Sequence, residues 1–146
     1  MKIRLLLLTL IGALVVAPFS FGADEPETEL ETKMDKIGSA FRTLRRQISD
    51  PAKNQDSLAK LAVIRENAQA SAKLEPAKTA EVPAAQQQKF VADFQAKMKE
   101  FIGLVDKVIA AVKANNNEEA TKLVGVMADT QKKAHGDFQK KKKKSS

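Results

Sequence analysis

Two side chains of this 146-residue chain could grip a transition metal without any cysteine: its only histidine, His135, and the thioether of Met34. An imidazole nitrogen and a thioether sulfur are the axial pair that holds haem iron in many electron carriers, where the soft sulfur raises the reduction potential. They stand near opposite ends of the sequence, so only the fold can bring them together. In an antiparallel bundle of four helices, the start of the first and the end of the fourth share one end of the molecule. A planar b-type haem would fit between them there.

The elements that must do this are written as helical periodicity in four segments, and no segment alternates apolar and polar residues as a half-buried strand does. The first, about Glu27 to Ile48, sets Leu30, Met34, Ile37, Phe41, Leu44 and Ile48 at alternating steps of four and three, one continuous inward stripe. Ser49-Asp50-Pro51 ends it, because proline disfavours helical backbone in the residue before it. The second, about Asp56 to Leu74, has a smaller apolar face of Leu58, Leu61, Ala62, Ile64, Ala68 and Ala72. Glu75 to Pro83 is the longest connection and joins two helical hairpins. The third segment, about Ala84 to Ala114, is the longest and most apolar, from Phe90, Val91 and Phe94 to Val112. Asn115-Asn116-Asn117 should turn the chain, with Asn117 as N-cap and Glu118 and Glu119 where the helix dipole favours anions. The fourth segment runs to about Lys140 with Ala120, Leu123, Val124, Met127, Ala134 and Phe138 inward. Short to moderate connections then give an all-α, antiparallel up-down-up-down four-helix bundle.

Within that frame Met34 lies about 10 Å into the first helix, and His135 about 8 Å from the end of the fourth, at 1.5 Å per residue. The depths agree. On the helical wheel His135 falls with Val124, Ala128, Gln131 and Phe138, at the flank of the inward face. Phe94 and Met98, one turn apart on the third helix, belong near the same end, and Ile37, Phe41 and Met127 complete the candidate walls. The expected site is therefore Met34 and His135 as metal ligands, with Ile37, Phe41, Phe94 and Met98 around the cofactor.

Composition narrows the alternatives. Lys2 and Arg4, the apolar run Leu5–Ala17 and small residues near Gly22 read as a secretory signal peptide over residues 1–22, too short for a membrane span. Cleavage after Gly22 leaves 23–140 as one bundle domain and 141–146 as a disordered basic tail. The expected location is the periplasm. With no cysteine there is no disulfide, no zinc-thiolate site and no covalent haem attachment. Of the 25 Lys and Arg residues, two fall in the signal and five in Lys140, Lys141, Lys142, Lys143 and Lys144; the remaining 18 balance 18 Asp and Glu. A balanced body without Tyr or Trp argues against nucleic acid. The lysine run suits weak contact with an anionic membrane, up to about 1 kcal/mol per lysine near the surface.

The order of residues resembles the cytochrome b562 family. Glu29-Leu30-Glu31-Thr32-Lys33-Met34-Asp35 is similar to that family's opening helix, where an acidic-leucine-acidic stretch precedes a methionine ligand. Ala134-His135-Gly136-Asp137-Phe138 is similar to its close, a histidine followed three residues later by an aromatic, and Phe94 matches a phenylalanine beside the haem. The resemblance implies Met34 and His135 as axial ligands of one non-covalent haem b, and a single-electron shuttle for redox partner proteins of the envelope, as monomer or dimer. Gln131 and Ala134 stand where the family's pattern has an arginine and a tyrosine, and Met98 where it has a second phenylalanine. No convergent pair of carboxylates suggests an enzyme, and no catalytic residue is assigned. The competing expectation is a haem-free helical interaction or stress protein of the envelope with the same fold.

Overall fold

In the computed structural model the described residues are 27–140; the expected signal peptide and the tail beyond Lys140 lie outside them. Four helices follow: α1 Glu29–Gln47, α2 Asn54–Ser71, α3 Ala84–Lys113 and α4 Asn117–Phe138. Each end has a chemical cause. The Thr28 hydroxyl accepts from the Glu31 N–H at 3.2 Å while the Glu31 carboxylate accepts from the Thr28 N–H at 2.8 Å, a reciprocal capping box that starts α1. After α1 the Asp50 carboxylate accepts from the Ala52 N–H at 2.9 Å, and Pro51–Lys53 make a single 3-10 turn that leads into α2. A second 3-10 turn, Ala77–Glu81, occupies the middle of the long connection before α3.

Between α3 and α4 the polypeptide reverses over three asparagines with separate tasks. Asn115 takes a left-handed backbone, φ 54°; its N–H bonds Val112 O and that of Asn116 bonds Ala111 O, both at 2.9 Å. This closes the open carbonyls of α3 in a Schellman motif. Asn116, not the expected Asn117, is the N-cap of α4, and its side chain accepts from the Glu119 N–H at 3.1 Å. Asn117 is instead the first helical residue and turns inward, buried.

One core runs the length of the bundle. On α3, Phe94, Met98, Phe101, Val105, Val108 and Val112 are buried in steps of four and three, the repeat of a knobs-into-holes seam. From α1 come Leu30, Ile37, Phe41, Leu44 and Ile48, and from α4 Ala120, Val124 and Met127. The face of α2 differs from expectation. Leu61, Ile64 and Ala68 are buried, but Ala62 is exposed, and Ser57, Asn67 and Ser71 share the interior. Small and polar residues permit close approach of its neighbours, and α2 packs tightly on both α1 and α3.

The tight pairings are those of sequence neighbours, α1 with α2, α2 with α3 and α3 with α4; α1 and α4 approach less closely. What joins them is polar. Asn117 Nδ2 donates to Ile48 O and to Asn54 Oδ1, each at 2.7 Å, and Asn54 Nδ2 donates to Asn115 Oδ1 at 3.0 Å. This amide clamp ties the end of α1, the start of α2 and the start of α4 together. The candidate site lies at the opposite end.

Candidate functional site

Registers measured from the clamp place the two candidate ligands. Met34 stands about 21 Å from Ile48 along α1, and His135 about 27 Å from Asn117 along α4, at 1.5 Å per residue. The offset of about 6 Å is reduced by side-chain direction, because helical side chains lean toward their own N-terminus. Met34 leans away from the clamp and His135 toward it. Azimuth agrees as well: Asn117 and His135 are separated by about five full turns at 3.6 residues per turn, so they lie on one side of α4. At the clamp, that side reaches α1.

The surroundings are uneven. Ile37 and Phe41 on α1 and Phe94 and Met98 on α3 are all buried, and Met34 is half-buried against the core. His135 is exposed. The expectation that the imidazole enters a buried gap is therefore corrected: in these helices it sits outside the packed core. The reason is local. It lies in the last turn of α4, flanked by exposed Gly136 and Asp137, with α1 not drawn tightly against that face.

Phe138 closes the end of the bundle instead. Its ring packs 5.1 Å from that of Phe90 and 5.5 Å from that of Phe94, the latter edge to face. These contacts set the level of α4 against α3 and bring Met98, one turn below Phe94, near the height of Ala134. Charge surrounds this apolar cap. Lys97 Nζ donates to the Glu100 carboxylate at 2.8 Å. That bond raises the Lys97 ammonium above its ordinary value, with Asp137 of α4 adding to it; it holds Glu100 below the usual carboxylate range, helped by Lys133.

As a ligand set, a thioether and an imidazole on the two helices that are not tightly paired, with Phe94 and Met98 buried beside them, suit a flat apolar cofactor carrying an iron. Among the described residues no group of three or more His, Cys, Asp or Glu could hold a metal ion. Two surface clefts lie elsewhere. One, between the 3-10 turn and α3, is lined by Glu75, Thr79, Gln87, Gln88, Val91, Ala92 and Gln95; the other is a shallow depression over Asp129, Lys132, Lys133 and Gly136.

Sequence reasoning missed two participants. Phe90 joins the aromatic cap, which its spacing from Phe94 could have signalled. Lys78 donates to the main-chain carbonyls of Asp137 and Gly136 at 2.6 and 3.4 Å, and no residue pattern announces a bond to backbone.

A family model described as Cytochrome b562 matches residues 29–139. No curated protein sequence matches the chain.

Proposed function

Because this chain belongs to the cytochrome b562 family, whose members bind haem b and carry electrons, we propose that it holds one non-covalent haem b between Met34 and His135 and transfers single electrons in the periplasm. One observation supports the ligand assignment. The helix registers bring the two side chains with suitable donor atoms, Met34 of α1 and His135 of α4, to the same end of the bundle. The known family members are periplasmic, and the N-terminal sequence has the pattern of an export signal.

When bound, haem b supplies a one-electron iron couple. The protein's part is to bind, orient and exclude water. His135 would offer an imidazole nitrogen from the last turn of α4, and Met34 a thioether whose softness favours the reduced metal. Phe94, Met98, Ile37 and Phe41, buried in the core at that end, would supply apolar surface to keep water from the ring. Met34 and His135 would together hold the group, and the chemistry it would supply there is transfer of one electron. Absence of cysteine restricts attachment to these bonds and to packing.

The test is direct. Mature protein titrated with hemin should develop a low-spin, six-coordinate spectrum. His135→Ala should abolish it, and Met34→Ala should leave a weaker, high-spin complex with a lowered potential. A low-spin spectrum that survives His135→Ala would refute the assignment. The exposure of His135 favours one rival, a haem-free bundle with an interaction role in the envelope. That rival requires a colourless protein that gives no hemin spectrum at all.

A further inference from the structure

The last turn of α4 carries the proposed ligand His135. On the side of α3 three contacts converge. Phe138 packs on Phe90 and Phe94; Lys78 Nζ donates to Asp137 O at 2.6 Å and Gly136 O at 3.4 Å; and Lys140 Nζ lies 3.9 Å from Glu81. Lys78 and Glu81 both belong to the 3-10 turn Ala77–Glu81, the middle of the connection between α2 and α3. The final carbonyls of a helix have no partner within it, and a cation there also meets the negative end of the helix dipole. We infer that Lys78 is a positioning residue for the haem site: the connection acts as a strap that clips the ends of Gly136 and Asp137, and so fixes the turn from which His135 reaches toward α1. This rests on the haem reading above.

The argument is one of geometry. A terminal helical turn frays unless its carbonyls are satisfied, and His135 lies immediately before the two carbonyls that Lys78 engages. Fraying of Gly136 and Asp137 would spread to the His135 carbonyl, which accepts the last helical bond from Gln139 N–H at 3.1 Å. Lys78 bonds the main-chain carbonyls of Gly136 and Asp137 and not a candidate ligand, so its influence on the cofactor must pass through the backbone of α4. A packed ring at Phe138 limits translation of the turn, whereas the bonds from Lys78 oppose its unwinding. The two restraints are complementary.

Three variants test this in the full mature chain: Lys78→Met, which keeps an apolar stem of similar length; Lys78→Arg, which keeps the donor; and Glu81→Gln, which weakens the outer contact. Two readouts are needed. In haem-free protein, Cα chemical shifts of Gly136 to Phe138 and amide exchange of Gln139 report the terminal turn. In hemin-loaded protein, the rate of haem transfer to apomyoglobin and the low-spin fraction report the axial histidine. Lys78→Met should raise Gln139 exchange and haem loss by about two- to fivefold, with the urea midpoint of the haem-free protein little changed, and Lys78→Arg should restore both. Glu81→Gln should shift both readouts in the same direction by less.

The inference is overturned if Gln139 exchange is unchanged in Lys78→Met, or if haem loss follows the urea midpoint alone. Failure of the two readings is distinguishable. No hemin spectrum in the parent protein removes the haem assignment; a Gln139 response that persists there reduces Lys78 to a helix cap and overturns its role at the site.

Discussion

Replacing Asn117 by alanine should destabilise the bundle more than any surface change, because this one carboxamide closes the seam between α1 and α4. Its Nδ2 donates to Ile48 O and Asn54 Oδ1, both at 2.7 Å, from a residue 8% exposed to a carbonyl in a residue 2% exposed. Deleting it leaves the Ile48 carbonyl buried without that donor, a cost of about 1–3 kcal/mol, and removes the bond to Asn54, worth about 1 kcal/mol net. The expected loss is about 2–4 kcal/mol, against roughly 5–15 kcal/mol for a typical domain. In urea, with a slope of about 1–3 kcal/mol per molar for small proteins, the midpoint should fall by about 1–2 M. Asn117→Asp puts a second acceptor opposite the Ile48 carbonyl and should be no better than alanine. Asn54→Ala combined with Asn117→Ala should show a coupling of about 1 kcal/mol, since each single change already breaks the shared bond. A loss below about 0.5 kcal/mol, or strict additivity of the two changes, would refute the clamp.

Other outcomes follow from the same geometry. Thr28→Ala removes the acceptor for the Glu31 N–H and should cost about 1 kcal/mol in urea unfolding; restoring Ser at that position should recover most of it. Glu100 is held below its ordinary pKa, first by the hydrogen bond from Lys97 and then by that ammonium's charge. A carboxylate depressed on folding stabilises above its unfolded pKa and loses that contribution as pH falls through the folded value. The urea midpoints of the parent and Glu100→Gln should therefore differ at neutral pH and converge in acid, and added salt should shrink the difference because the pair is solvated. Removing the basic tail after Lys140 should lower binding to phosphatidylglycerol vesicles if the lysines contact anionic lipid; unchanged binding discards that contact.

Much of this architecture is legible in the chain because it is periodic. The four-and-three spacing from Leu30 to Ile48, and again from Phe94 to Val112, fixes both the helices and their inward faces, and the three asparagines with their following glutamates mark the last turn. Departures fall where one residue has several possible partners. Asn116 and Asn117 are both competent caps, and the choice depends on Ile48 and Asn54, which are distant in sequence. Helix α2 shows little amphipathic contrast because it is squeezed between two neighbours, so burial there follows position on the helix more than polarity: Ser57 and Ser71 are inside while Ala62 is outside. The site divides in the same way. The level of Met34 and His135 can be counted from helix lengths, but exposure of His135 depends on how closely α1 approaches α4, a quantity that neither helix encodes alone.

That approach is controlled from the far end. With α1 and α4 joined through Asn117 at the clamp and packed more loosely along their length, any change of angle at the clamp is magnified along the helices. A rotation of about 5° at the clamp moves a point about 25 Å away by roughly 2 Å, the distance along the helices at which the candidate ligands lie. Small adjustments near the clamp would thus change the spacing of Met34 and His135 substantially, while α3, gripping Phe138 through Phe90 and Phe94, holds α4 in place. At the site end α1 contributes Leu30, Met34 and Ile37 to the apolar core. Such contacts are non-directional, so they set a separation less strictly than hydrogen bonds do. The polar clamp at one end and the apolar seam at the other therefore divide the work: the first fixes register between the helices, and the second constrains their separation less strictly where a flat ligand would enter.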